Sequence, residues 1–341
     1  MGEKDTITKD YMNDPYIFAD AFNYFLYGGE LVIKPEQLHP LDTTVIGVPY
    51  GSDDAGVPVQ KYRDGMKIFS GMSDEKAVYL LLGVELQSEV HYAMPVKDMV
   101  YDALQYAAQV EEAAKSHRNE RKNISPEVRK SKKKPNSGEY LSGFYKEDRL
   151  LPVITLVVYF GADHWDGPIC LHEMLKNTDK KMLCFIPDYK INLIAPEGLE
   201  ENQLDQFHTS LREVLKFIKY SKDKKKLYHM VENDPKFHRI GQKAGRVINV
   251  ITGAEIGMDE SEEYIDMCQA IRELREEAKQ IGREEGRQEG REEGTIEGRQ
   301  KEKEDIIFRM LGKRTFTYEE IAELVGVSVD KVKEIEANHF Q

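Results

Sequence analysis

The chain has 341 residues, of which 48 are basic and 61 are acidic, and its formal net charge of −13 at pH 7 argues against a surface that is basic throughout. Hydrophobic residues make up 40% of the sequence, yet no apolar run approaches the roughly 20 residues of a membrane span, and the N-terminus lacks the apolar stretch of a signal peptide. The three cysteines are widely spaced and odd in number, which favours the reducing cytoplasm and predicts no disulfide framework. The nine histidines are scattered without metal-ligand spacing, so the sequence predicts no zinc site.

The first predicted element is an amphipathic helix within residues 10–29. It follows a turn at Asp14-Pro15 and is terminated by Gly28-Gly29, because proline is favoured at the first helical position and glycine just past the last one. The apolar residues near one face are Ile17, Phe18, Phe22 and Phe25.

An α/β core is predicted from strands that alternate with helices. Residues 77–87 and 152–160 are almost wholly apolar, which is typical of central strands buried on both faces. A long helix from about Met94 to Ala114 connects them. The remaining strand-like and helical runs are 44–49, 57–63, 189–194 and 204–250. The order α, β-meander, α, β predicts an α/β sandwich with a mixed sheet.

A polar insertion at residues 115–140 separates the long helix from the second buried strand. It carries nine lysine and arginine residues against two acidic residues up to Lys134. This composition is typical of a solvated, disordered loop, whereas the density of positive charge also suits an arm that grips phosphates. The two interpretations are compatible, since such arms often become ordered on binding.

Glycine recurs at every fourth position from Gly282 to Gly298, with arginine and glutamate between the glycines. Each glycine costs a helix about 1 kcal/mol relative to alanine, and columns of like charge are mildly destabilising within one helix. A neighbouring helix could set the arginine column against the glutamate column, while the glycines would allow close approach. The segment is therefore predicted to be either an oligomerisation helix or a charged flexible linker.

The last segment predicts two short helices joined by a turn. Thr317 and Glu320 have the spacing of a capping box, Gly326 suits the turn, and Ser328 is placed to cap the second helix. This arrangement resembles a helix-turn-helix unit. Because the second helix is acidic on balance, docking to a protein is at least as well supported as reading of DNA.

Two polar residues, Glu85 and Gln87, end the first buried strand and point to the same side of the sheet. Asp64 ends the preceding strand-like run, one hairpin away, and can reach the same point. Converging carboxylates suit Mg²⁺, which binds one or two carboxylates and keeps several waters. Such an ion activates water and neutralises charge that develops on a scissile phosphate.

The runs GVELQ at 83–87 and YAMP at 92–95 resemble the recombination-promoting nuclease / putative transposase family of the PD-(D/E)xK superfamily. The resemblance extends over about residues 8–250. It implies a restriction-endonuclease-like αβββαβ core with a mixed sheet, followed here by a helical C-terminal extension. It also implies metal-dependent cleavage of DNA, with Mg²⁺ or Mn²⁺ as the cofactor.

Carried over to this chain, the resemblance makes Glu85 a metal ligand and places Gln87 where the superfamily more often has lysine. The metal-binding aspartate of the family tends to precede a Val-x-Lys run, but here Pro58 precedes Val59-Gln60-Lys61. Asp64 is therefore a substitute candidate for the metal ligand and not a direct match to the motif.

Two further residues are accessory candidates. Asp20, on the first helix, matches an accessory acidic position of the family. Lys97, on the helix that follows Glu85, either supplies the positive charge that Gln87 lacks or is a solvated helix lysine.

The chain is thus expected to comprise a nuclease-like domain at 1–252 with the basic insertion loop 115–140, a charged Gly-repeat linker at 253–303, helical or flexible, and a helix-turn-helix-like unit at 304–341. The favoured function is a Mg²⁺-dependent DNA endonuclease linked to recombination or mobile elements. Its expected partners are DNA and a second copy of the chain, without a membrane or a small-molecule cofactor. The alternatives are a catalytically weakened DNA-binding module and an oligomeric regulatory protein that acts through its C-terminal tail.

Overall fold

The computed structural model describes residues 2–41, 44–47, 59–62, 64–73, 76–123, 134–176, 179–259 and 261–339. The chain forms two compact units, Met1–Ile271 and Arg272–Gln341. Among the described residues, no helix combines the length and the apolar character needed to cross a membrane. The predicted α/β class with a mixed sheet and a helical C-terminal region is confirmed, whereas the restriction-endonuclease-like αβββαβ core stays a prediction.

The strands are β1 (Leu38–Pro40), β2 (Thr44–Gly47), β3 (Val59–Tyr62), β4 (Gly65–Ser73), β5 (Lys76–Gln87), β6 (Val153–Tyr159), β7 (Asn192–Ile194), β8 (Ile240–Gly241) and β9 (Tyr264–Ile265). A five-stranded sheet has the order β1-β4-β5-β6-β7. β4 is antiparallel to β1 and β5, whereas β6 is parallel to β5 and β7. The predicted buried strands β5 and β6 are confirmed, and the structure shows in addition that they are neighbours in the sheet.

The strand β4 was not predicted from the sequence, and it separates the β2–β3 hairpin from β5. Polar residues and glycines interrupt its apolar pattern. Lys67 nevertheless occupies a buried position, because its ammonium group donates to the Asn13 carbonyl at 2.8 Å and lies 4.7 Å from the centre of the Phe18 ring. Gly71 leaves room for the Phe69 ring, which would lie 2.4 Å from a Cβ atom at that position.

The helices of the first unit are α1 (Glu3–Met12), α2 (Pro15–Tyr27), α3 (Met94–Asn123), α4 (Ser137–Ser142), α5 (Lys180–Leu183), α6 (Glu201–Leu204), α7 (Leu211–Tyr220), α8 (Lys224–Asn233) and α9 (Gln242–Thr252). The predicted ends of α2 are confirmed. The Asp14 carboxylate accepts a hydrogen bond from the Tyr16 amide at 2.8 Å, and Gly28 adopts a left-handed conformation with φ of +60°.

The helix α3 continues to Asn123, beyond the predicted end at Ala114, so residues 115–123 are not a loop. The reason is packing that the sequence does not display. His117 stacks on Tyr145 with 3.6 Å between ring centres, and its Nε2 atom lies 2.8 Å from the Asp148 carboxylate. Further along, Arg121 lies over the ring of Tyr140 on α4. The other basic residues of the predicted insertion, 129–133, lie outside the described residues.

Charged side chains of α7 form a buried ion network. Arg212 contacts Asp205 and Asp234 at 2.7 Å and Glu213 at 2.9 Å, and Lys216 contacts Asp205 at 2.9 Å. Removing one partner from such a network costs about 3–5 kcal/mol because buried charge loses its compensation. The network therefore fixes α7 against the segments that precede and follow it.

The second unit contains the helix α10 (Met267–Lys313) from Arg272 onward, together with α11 (Tyr318–Val325) and α12 (Val329–His339). The predicted capping box of Thr317 and Glu320 is present, and Gly326 ends α11 with φ of +68°. A small core holds the three segments together through Ile307, Ile321, Ala322, Val332 and Ile335. The glycine repeat lies within α10.

Candidate functional site

The candidate site lies at the end of β5, where the antiparallel neighbour β4 begins. Gly65 pairs with Val84 in the sheet, so Asp64 is positioned beside the next residues of β5. The Leu86 amide donates a hydrogen bond to Oδ2 of Asp64 at 2.9 Å. This bond fixes the Asp64 carboxylate next to the backbone that carries Glu85, and it explains how Asp64 reaches the site from outside β5.

Glu85 is 1% exposed, and one of its carboxylate oxygens lies 2.9 Å from the ammonium group of Lys97. A short connection between β5 and α3 places Lys97 in the first turn of α3, within contact distance of Glu85 near the end of the strand. The side chain of Lys97 is 28% exposed. Lys97 is therefore a partly buried lysine that pairs with Glu85 and not a fully solvated one, whereas its role in a functional site stays a prediction.

The environment of Lys97 keeps its ammonium group charged. Burial alone would lower the pKa of Lys97, but the charge and hydrogen bond of Glu85 raise it more strongly, and the Asp64 carboxylate adds to the effect. The pKa of Lys97 therefore lies above its usual value. A lysine in this state acts through its positive charge, because it has no free electron pair with which to accept a proton near neutral pH.

Gln87 is half-buried on the same side of β5 as Glu85. The backbone carbonyl oxygen of Gln87 accepts a hydrogen bond from the Phe160 amide at 2.8 Å, which extends the parallel pairing of β5 and β6. The neutral amide of Gln87 can orient a water molecule through hydrogen bonds but cannot neutralise a phosphate.

Asp20 is buried in α2, and its carboxylate is directed to a loop that precedes α7. The Thr209 amide and hydroxyl donate to one oxygen at 2.8 and 2.6 Å, and the His208 amide lies 3.0 Å from both oxygens. These contacts are typical of a carboxylate that caps and tethers a backbone turn.

Two buried aspartates of α3, Asp98 and Asp102, were not singled out in the sequence. Asp102 accepts hydrogen bonds from the Thr155 hydroxyl at 2.7 Å and the Tyr189 hydroxyl at 2.6 Å, which ties α3 to β6. Their spacing in the sequence could have indicated burial, since Asp98 and Asp102 share a helix face with the buried Met94. An acidic pair on an apolar helix face indicates buried polar contacts.

The side chains at the site can be compared with the ligand preferences of Mg²⁺. Asp64, Glu85 and Gln87 offer carboxylate and amide oxygens, which are the donors that this ion prefers. The ammonium group of Lys97 faces one oxygen of Glu85, so an ion at this point would share the carboxylate with Lys97. The chemistry of the residues therefore fits Mg²⁺. Pro58, which replaces the expected motif aspartate, lies outside the described residues.

Comparisons with curated proteins and with solved structures found no match. A family model matches one segment of the chain, which contains β6, β7 and the ion network around Arg212. Glu85 and Lys97 lie outside this segment, although β6 within it pairs directly with the strand that carries Glu85. Residues 139–243 match the model of the family described as "Putative transposase, YhgA-like", and over this segment the predicted family resemblance is confirmed.

Proposed function

We propose that the chain is a metal-dependent DNA endonuclease that hydrolyses phosphodiester bonds, with a role in recombination or mobile elements. The observation that carries the proposal is the buried Glu85 paired with Lys97 at 2.9 Å, beside an Asp64 carboxylate anchored on the Leu86 amide. The family description supports the choice of DNA as the substrate, since transposases act on DNA.

The proposed roles follow from the charge and placement of each side chain. Asp64 and Glu85 would hold Mg²⁺, or Mn²⁺ in its place. When bound, the ion supplies Lewis-acid polarisation of the phosphate and lowers the pKa of a coordinated water. Lys97 stabilises negative charge on the phosphate oxygens, which is the task that neutral Gln87 cannot perform. Gln87 orients the attacking water by hydrogen bonding.

The DNA backbone would contact the distal half of α3. Lys115, Arg118 and Lys122 are exposed on this helix. Helical spacing places them on adjacent turns, at intervals that suit successive phosphates along a groove. Since phosphate contacts provide much of the affinity of DNA-binding proteins, this half of α3, residues 115–122, is the proposed phosphate-binding surface.

The proposal is tested by cleavage of supercoiled plasmid in the presence of Mg²⁺ or of a chelator. Glu85→Gln and Asp64→Asn are expected to abolish the metal-dependent cleavage. The matched control is Glu334→Gln, because Glu334 also pairs with a lysine, Lys331 at 3.0 Å, but at the surface and away from α3. Circular dichroism of each variant checks that the fold is retained. Full cleavage by a folded Glu85→Gln variant would overturn the assigned site.

A catalytically weakened DNA-binding module is the second candidate, favoured by the neutral amide at Gln87. The same experiment separates the two functions. A binding module would retard DNA in a gel and leave it intact with either Mg²⁺ or Mn²⁺, and its affinity would be insensitive to Glu85→Gln.

We further propose that α10 pairs with its counterpart in a second copy of the chain. Among the described residues, no side chain or distant backbone atom lies within 4 Å of a Cβ atom built on the glycines from Gly282 to Gly298, so each of them is open for close approach. Arginines flank the glycine row on one side and glutamates on the other, as the repeat places them at successive positions. Two parallel helices related by a two-fold axis would then oppose arginine with glutamate, whereas antiparallel helices would oppose like charges.

A further inference from the structure

A second cluster of potential metal ligands lies in the first unit, formed by His238, Asp266 and Cys268. One ligand atom from each side chain lies within 4.8 Å of the other two. Nδ1 of His238 is 3.0 Å from Oδ2 of Asp266, and the Cys268 amide donates to Oδ1 of Asp266 at 2.9 Å. The cluster is thus a compact set of one nitrogen, one oxygen and one sulfur donor.

The small β8–β9 ladder brings these residues together. Ile240 of β8 pairs with Ile265 of β9 in an antiparallel register. His238 ends a 3-10 turn just before β8, and Asp266 and Cys268 follow β9 at the start of α10. His238 lies far from Asp266 and Cys268 in the sequence. The histidines and cysteines therefore showed no zinc-ligand spacing, although the fold brings these three residues together.

The carboxylate of Asp266 is held in an orientation that suits a metal ligand. The amides of Cys268 and Gln269 donate to Oδ1 of Asp266 at 2.9 and 3.1 Å, so Oδ2 is directed to His238. The Cys268 thiol is buried and donates a hydrogen bond to the Val231 carbonyl at 2.9 Å, which zinc binding would replace.

We propose that His238, Asp266 and Cys268 bind one Zn²⁺ ion that joins the 3-10 turn before β8 to the first turn of α10. Imidazole, carboxylate and thiolate are the usual ligands of zinc, and three protein ligands leave a fourth position for water. Binding transfers the thiol proton of Cys268, and any proton on the coordinating nitrogen of His238, to solvent. The half-exposed His238 and Asp266 provide the path by which the ion enters.

The proposed zinc site differs in chemistry from the Asp64–Glu85 site. Mg²⁺ prefers an all-oxygen environment, so the thiolate and imidazole of the zinc site discriminate against it. The two sites can therefore be measured separately in the same protein. Zinc binding does not depend on nuclease activity.

The test is titration of the metal-free, full-length chain with Zn²⁺ alone, followed by calorimetry, and with Co²⁺, followed by its thiolate charge-transfer absorption. The variants are His238→Ala and Cys268→Ser. The matched control is His164→Ala, because His164 likewise pairs with a carboxylate, that of Glu197 at 2.9 Å. Cys184→Ser, at an exposed cysteine, is the control for the thiol.

The wild type is expected to bind one Zn²⁺ per chain and to show the cobalt–thiolate absorption. His238→Ala and Cys268→Ser should weaken Zn²⁺ binding more than about tenfold, since loss of even an outer partner of a metal ligand has an effect of this size. His164→Ala and Cys184→Ser should bind as the wild type does.

Zinc should also raise the melting temperature of the wild type by an amount that grows with its concentration. If Cys268→Ser fails to fold, the more exposed His238→Ala decides the outcome. Absence of stoichiometric zinc binding in the wild type, or unchanged affinity in His238→Ala, would overturn the site.

Discussion

The ammonium group of Lys97 lies 2.9 Å from Oε2 of Glu85, so the first turn of α3 supplies the cation that faces the carboxylate at the end of β5. This relationship bears on the neutral residue Gln87, which stands where a lysine is more usual. A helix that begins soon after the strand can deliver the same charge from a different position in the sequence. The charge of the site is then set by the junction of strand and helix.

Replacing Lys97 with methionine should lower the rate of DNA cleavage by about 100-fold or more, because one preorganised electrostatic contact to the reacting group contributes an effect of this order. Lys97→Arg retains the charge and should recover part of the rate. Single-turnover cleavage separates this effect from a change in DNA affinity. Equal rates for the methionine variant and the wild type would remove Lys97 from the reaction.

The pair of Lys97 and Glu85 should also stabilise the fold over a defined pH range. Because the pKa of Lys97 is raised in the folded chain, the contribution is fully present below the unfolded value of about 10.4 and is lost as the pH rises through the folded value. Chemical unfolding should therefore show a stability difference between the wild type and Lys97→Met that is constant from pH 7 to about pH 9 and shrinks above about pH 10.4.

Substitution of Asp20 tests whether it has a structural or an accessory catalytic role. The Asp20 carboxylate accepts hydrogen bonds from the His208 amide and from the amide and hydroxyl of Thr209. Asp20→Asn removes the negative charge of this acceptor and should lower the free energy of unfolding by about 1–3 kcal/mol. The cleavage rate per folded molecule should be unchanged. Asp14→Asn is the control, since asparagine caps a helix about as well as aspartate. A lower rate with unchanged stability would instead support the accessory catalytic role.

The phosphate-binding surface on α3 predicts a change in salt dependence. The triple variant Lys115→Ala, Arg118→Ala and Lys122→Ala should reduce the slope of log affinity against log salt by about one unit for each phosphate that these side chains neutralise in the wild type. DNA binding measured by fluorescence anisotropy over a range of salt concentrations gives this slope. The control is Lys224→Ala, Lys225→Ala and Lys226→Ala, which removes an equal charge from α8. Equal slopes in the α3 variant and the wild type would contradict the assignment.

The glycine row of α10 predicts a loss of assembly when large side chains are introduced. Replacing Gly286, Gly290 and Gly294 with leucine should block the close approach of two helices and lower the oligomeric state. Sedimentation velocity of the wild type, the leucine variant and a chain that ends near residue 275 measures this directly. Alanine at the same positions is a milder control, because it raises helix propensity and still permits fairly close packing. A wild type that is monomeric at all concentrations would exclude pairing through α10.

The local physics of the sequence was enough to predict α2, β5, β6 and the capped helix pair at the C-terminus. Asp14-Pro15 and Gly28 define the ends of α2 through their backbone preferences, which depend on few neighbours. The apolar run of β5 is equally informative, because a strand buried on both faces has no polar side. By contrast, β4 was missed, since the buried Lys67 and the close approach at Gly71 are explained only by residues distant in the chain.

The same division applies to the candidate sites. The order of residues alone places Glu85 and Gln87 on one side of a strand end, because side-chain alternation is a property of the backbone. The folded arrangement was needed to show that Lys97 faces Glu85, that Asp64 is bonded to the Leu86 amide, and that Asp20 is engaged by a loop before α7. The approach of His238 to Asp266 likewise arises from the pairing of β8 with β9. Contacts of this kind depend on which elements pack together, and packing is set by the summed burial of many side chains rather than by any local pattern.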